Sequence, residues 1–171
     1  MNYQELEKVL QGPLTYTNTS DKKLIEHFQE KFKMVPYNND FLFIFHHERE
    51  FENKNHIISL HQRNSGRVPM HIFHYIVITY VYSGTMIITV ENDTVTLNAG
   101  DVIIFDKHVP HSVAPTSAND LGVNIVLNEN YFSKKFINHL PNDQLISKFM
   151  IKLMNSQTNH NHYLLFYTKK D

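Results

Sequence analysis

A mainly β barrel with helices at both ends is the fold class that the sequence predicts, and three observations predict it. Between residues 41 and 128, short apolar runs recur at close intervals, separated by turn residues. Two segments in that stretch, VPMHIFHYIVITYVYSG ending at Gly84 and LNAGDVIIFDKHVPHS ending at Ser112, each combine a turn with an alternating or apolar strand. Outside the stretch, apolar residues recur every three or four positions, the spacing of a helix face.

Residues 1–40 read as a helical segment packing on the barrel. Gln4 to Gln11 places Leu6, Val9 and Leu10 together at helical spacing, and Gly12-Pro13 stops it. Ser20 or Asp21 caps a second helix with Leu24, Ile25, Phe28 and Phe32 along one stripe. It should end before Pro36, because the residue preceding a proline is pushed out of the helical region.

Residues 41–128 read as the barrel. FLFIFHH from Phe41 is an aromatic-rich strand, EREFENKN an irregular crossing, and His56 to Leu60 another strand. Arg63 to Arg67 is a polar loop. His71 to Tyr82 reads as one long strand closed by Gly84, with Thr85 to Val90 pairing back on it across Ser83-Gly84. Glu91-Asn92-Asp93 turns the chain into Thr94 to Leu97. Val102 to Phe105, Val109 to Val113 and Gly122 to Leu127 complete the series.

Residues 129–171 return to helices before a last strand. Glu129 to Leu140 carries Tyr131, Phe132, Phe136, Ile137 and Leu140. Asn142 or Asp143 then caps a helix whose Leu145, Ile146, Phe149, Met150, Leu153 and Met154 make a broad apolar face. Tyr163 to Tyr167 reads as a strand.

Composition narrows the function classes. A chain of 171 residues with 42% apolar residues, 12 Phe and 9 Tyr fits one barrel with a substantial core. A formal charge of −1 provides no global attraction to nucleic acid or to membranes. The absence of cysteine excludes disulfides and thiolate metal sites. The first residues, MNYQELEKVLQGP, are too polar for a secretory signal, and no apolar run reaches membrane length. A soluble cytoplasmic protein without a membrane partner is expected. No catalytic residues are expected either: Ser83 and Ser112 lack a Gly-x-Ser-x-Gly turn, and the 5 glycines form no phosphate loop. Asp101, after Gly100, reads as a cap for backbone amides.

The two barrel segments resemble those of the cupin fold, a jelly-roll-like β-barrel. Pro69-Met70-His71, Tyr80-Val81-Tyr82-Ser83-Gly84, Leu97-Asn98-Ala99-Gly100-Asp101 and Pro110-His111-Ser112 are similar to the N-terminal sensor domain of AraC-family transcriptional regulators, most strongly from about His61 to Tyr131. The resemblance implies a barrel that senses a small-molecule effector or mediates self-association. It also implies that DNA is bound only by a separate C-terminal domain with two helix-turn-helix units, which residues 1–171 do not contain, as expected of a fragment or a short relative.

The resemblance also bears on metal. In cupins the first motif supplies two histidines and a glutamate, and the second supplies a further histidine. Counting back seven residues from Gly84, the glutamate position falls on Val77, and the second histidine position, four residues earlier, on Phe73. Only His71 and His111 remain, so no metal and no other cofactor is expected. His74 would restore a ligand only if a bulge turned it inward. His46-His47 face opposite sides of a strand, and His160 and His162 fall in a loop.

The candidate ligand pocket comprises His71, Phe73, Tyr80, Tyr82, Phe105 and His111, unless these aromatics merely fill a small barrel. Strand alternation sets Phe73 on the His71 face and both tyrosines on the other, so the six cannot all share one face without a bulge. Leu145, Phe149, Met150 and Leu153 form the candidate dimer interface, with the alternative that the barrel consumes the whole helix face. The expected function is the regulatory domain, ligand-sensing or dimerising, of an AraC-family regulator. The alternative is a stand-alone metal-dependent cupin enzyme, an isomerase or dioxygenase, and the missing ligands count against it. A dimerisation domain without a ligand is a third reading.

Overall fold

A computed structural model of the chain describes residues 18–46, 51, 54–61, 63–128, 131, 147–149 and 163–168. The helix expected over Gln4 to Gln11 and nearly all of the expected Glu129 to Leu140 helix lie outside them. Helix α1 (Asp21–Lys31) starts where the sequence places it, with the Ser20 hydroxyl accepting from the Lys23 amide. It buries Leu24 and Phe28, while Ile25 stays 37% exposed.

Eleven strands follow: β1 (Lys33–Tyr37), β2 (Asp40–Phe45), β3 (His56–Leu60), β4 (Val68–Phe73), β5 (Ile76–Ser83), β6 (Thr85–Val90), β7 (Asp93–Asn98), β8 (Val102–Phe105), β9 (His111–Val113), β10 (Leu121–Leu127) and β11 (Tyr163–Phe166). They form two sheets, ordered β1-β2-β4-β9-β6-β7 and β11-β8-β5-β10-β3. Every pairing is antiparallel except β2 with β4. β1 lies within the segment read as helical, and Pro36 is tolerated there because β1 is a sheet edge.

Two expectations about the central stretch need correction. The single strand from His71 to Tyr82 is broken by a bend at His74-Tyr75, and its halves, β4 and β5, belong to different sheets. The Ser83-Gly84 turn is likewise a corner between sheets: β6 pairs with β7 and β9, not back onto β5. Gly84 takes φ +70° at that corner, where the Asp120 carboxylate accepts from the Thr85 amide at 2.8 Å.

The main core lies between the sheets. Val81, Leu97 and Ile103 are fully buried there, with Met86, Ile88 and Val90 beside them. A second apolar cluster gathers Ile76 of β5, Ile104 of β8 and Leu127 of β10 with Phe149. Asp101, buried at the turn before β8, accepts from the amides of Asn98 at 2.8 Å and Thr168 at 2.9 Å, tying that turn to the end of β11.

Candidate functional site

A cavity of about 280 Å³ lies between the sheets. Strand alternation decides what faces it. Phe45, His71, Phe73 and His111 line it from one sheet, and Val77, Thr79, Phe105 and Asn124 from the other. Helix α1 contributes His27, Phe28 and Lys31, and Phe32 follows as its C-cap. The helix is fastened at its start to the loop before β4: the Thr19 amide donates to the Ser65 hydroxyl and the Arg67 amide to the Asp21 carboxylate, both at 2.8 Å.

His71 and His111 form the polar centre of this wall. The β4–β9 register sets them directly opposite, with ring centroids 4.1 Å apart. In each ring Nδ1–H donates to the carbonyl two residues earlier, Pro69 and Val109 respectively, at 2.9 Å. That bond fixes the tautomer and leaves Nε2 as the lone-pair acceptor of each ring. Aromatic neighbours hold both rings still: Phe45 stacks on His71 at 4.3 Å and Phe105 on His111 at 4.1 Å. Burial pushes the His71 pKa well below its usual value, and the neighbouring His111 lowers it further. Burial brings His111 down to about 4. Both imidazoles are therefore neutral at pH 7.

Four of the six expected pocket residues, His71, Phe73, Phe105 and His111, come together on the cavity wall. Tyr80 and Tyr82 do not line it. β5 turns Val77 and Thr79 inward, so its even-numbered residues face away, and Tyr80 is 37% exposed. Of the expected dimer residues, Leu145, Met150 and Leu153 lie outside the described residues. Phe149 is buried against Ile76, Ile104 and Leu127, on the side of the second sheet away from the cavity.

The residues that sequence reasoning missed are His61, Asn64, Thr79 and Asn124, together with Phe45 and the helix residues His27 and Lys31. Asn124 accepts from the Thr79 hydroxyl at 2.9 Å through Oδ1, which leaves its amide NH2 as a donor. Thr79 shares the inward face of β5 with Val77 and follows from strand alternation; no local spacing announces the others, which converge only because β2, β10, α1 and the segment after β3 surround the two motifs.

The donor set does not match a resident cupin metal. Phe73 and Val77 face the cavity at the positions that the resemblance assigns to ligands, and neither has a lone pair. His74 does not turn inward: it sits at the bend, hydrogen-bonded to His108 at 2.7 Å and stacked on His46. Among the described residues, no group of three or more His, Cys, Asp or Glu is arranged to hold a metal ion. No helix among them is long and apolar enough to cross a membrane.

Residues 61–125 match the family model of the cupin domain. The barrel has the cupin fold. The match spans His61 to Ile125 and leaves α1, β1, β2, β3 and β11 outside it. No curated protein matches the chain. Among solved structures, a cupin-2 domain containing protein from Shewanella frigidimarina is 14% identical, with TM-score 0.41, covering 74% of this chain and 91% of its own. ToxT from Vibrio cholerae is 17% identical, with TM-score 0.41, covering 68% of this chain and 43% of its own. The polyketide cyclase RemF from Streptomyces resistomycificus is 15% identical, with TM-score 0.38, covering 50% of this chain and 69% of its own.

Proposed function

We propose that the cupin barrel is the effector-binding domain of an AraC-type transcriptional regulator. A small molecule enters the cavity, and helix-turn-helix units beyond residues 1–171 contact DNA. The observation that carries this reading is the His71–His111 pair, two neutral, immobilised acceptors on a wall of aromatic and aliphatic side chains. Acceptors on the wall of a mostly apolar cavity can orient a bound molecule that donates to them. The sequence resemblance to regulator sensor domains supports the regulatory role in this reading. Self-association of the domain would match paired half-sites on DNA.

The test combines ligand and DNA binding. Fractions of a small-molecule extract from the source cells are screened for a rise in melting temperature, and active fractions are repeated on His111→Phe. The expected result is a fraction that stabilises the wild-type chain and not the variant. In a gel shift at moderate salt, residues 1–171 alone should not retard duplex DNA selectively, since their near-neutral charge provides no phosphate attraction. Sequence-selective retardation by these residues alone would overturn the division of labour.

A further inference from the structure

We infer that the cavity takes a neutral ligand with two adjacent hydroxyl donors, a vicinal diol or a catechol, held between the Nε2 atoms of His71 and His111. The inference rests on the reading of the cavity as a ligand site and adds the chemical class of the ligand. Both Nδ1–H groups are committed to backbone carbonyls, so each ring can only accept from the cavity. The two rings lie side by side, their centroids 4.1 Å apart, so one small molecule can reach both. The stacked Phe45 and Phe105 keep either ring from swinging away to find another partner.

The class follows by elimination. A carboxylate offers only acceptors, so even with its charge met by Lys31 it would leave both histidine lone pairs without a donor. An ammonium group brings donors, but no Asp or Glu is among the residues lining the cavity, and Lys31 on the α1 side adds positive charge. A neutral hydroxyl escapes both penalties. It also accepts, and the amide NH2 of Asn124 is a donor on the facing wall of the cavity. The phenyl walls suit a ring or carbon skeleton behind the two hydroxyls.

The test uses residues 1–171 labelled with 15N at histidine and follows the imidazole nitrogens at neutral pH. Four probes are titrated: catechol, cis-1,2-cyclohexanediol, benzoate and cyclohexylammonium. The expected result is that catechol or the diol moves the Nε2 signals of His71 and His111, leaves their Nδ1 signals nearly in place, and raises the melting temperature. The response to each of these two separates a planar aromatic ligand from a saturated one. Replacement of His71 or His111 by Phe should weaken that binding at least about tenfold. A shift of both Nε2 signals by benzoate or cyclohexylammonium, with the hydroxyl probes silent, overturns the ligand class and leaves the cavity as a binding site. Capture of Zn²⁺ by the same two nitrogens in preference to catechol overturns it as well. Silence towards all four probes and Zn²⁺ removes the ligand-site reading together with the class.

Discussion

Phe105 and His111 stack ring on ring, 4.1 Å between centroids and 10° from parallel, although they belong to different sheets. The contact joins the inner faces of β8 and β9 beside the cavity. Phe105 is 2% exposed, so Phe105→Ala should cost about 3–5 kcal/mol of unfolding free energy. Urea denaturation measures it, and Phe105→Leu should recover part of the loss. A cost below about 1 kcal/mol would mean that the barrel closes readily without this contact.

Acid should weaken the fold from about pH 6.5 downward through the two buried histidines. His111 titrates near 6.5 when unfolded and at about 4 when folded, so between those values the unfolded chain binds the extra proton. Stability therefore falls as pH drops from 6.5 to about 4, by on the order of 3 kcal/mol from His111 alone, and the lowered His71 acts in the same direction. Urea midpoints across this range should show a steep slope that flattens in a His71→Phe, His111→Phe double variant. An equal slope in the variant would assign the effect to other groups.

Because Phe73 and Val77 occupy two of the expected ligand positions, the purified chain should hold no stoichiometric transition metal, and chelator should leave its melting temperature unchanged. Elemental analysis checks this. About one iron, manganese, nickel or zinc per chain would revive the enzyme reading.

Gly84→Ala should be strongly destabilising. The positive φ alone costs an L-residue roughly 1–2 kcal/mol. An added Cβ would also sit 2.8 Å from the Asp120 Cα and 2.9 Å from the Asn119 carbonyl oxygen. The measurement is again the urea midpoint. A change within about 0.5 kcal/mol would show that the corner relaxes freely.

Phe149→Asp should lower stability by about 2–4 kcal/mol whatever the oligomeric state, because Phe149 packs on Ile76, Ile104 and Leu127. Leu153→Asp is the cleaner probe of self-association. If the chain is a dimer in sedimentation, Leu153→Asp should yield a folded monomer with nearly unchanged melting. A wild-type chain that sediments as a monomer at high micromolar concentration would remove the interface proposal for these residues.

The barrel and the polar centre of its cavity were legible because they depend on local pattern. Gly84, Gly100 and Asp101 mark turns by their chemistry, and His71, Phe73, Phe105 and His111 follow from strand alternation around those turns. The bend at His74-Tyr75 was not legible. Apolar alternation runs through it unbroken, since odd-numbered residues face inward in both β4 and β5 even though the strands belong to different sheets. The contributions of His61, Asn124 and Lys31 depend on which strands and helix the folded chain sets beside the motifs. The stripe of α1 shows that it packs on the barrel, not that its edge meets the cavity.

The parallel pairing of β2 with β4 has a kinetic consequence. Between these neighbours the chain leaves their sheet, runs as β3 along the edge of the other, and returns. β3 then waits for β10 as its partner, with six strands intervening in sequence. Neither sheet can be completed from consecutive strands, and beyond the β1–β2 and β6–β7 hairpins little native structure can form from local contacts alone. Folding should be slow, on the order of milliseconds to seconds, and the two sheets should appear together in one cooperative step, with neither serving as a template for the other.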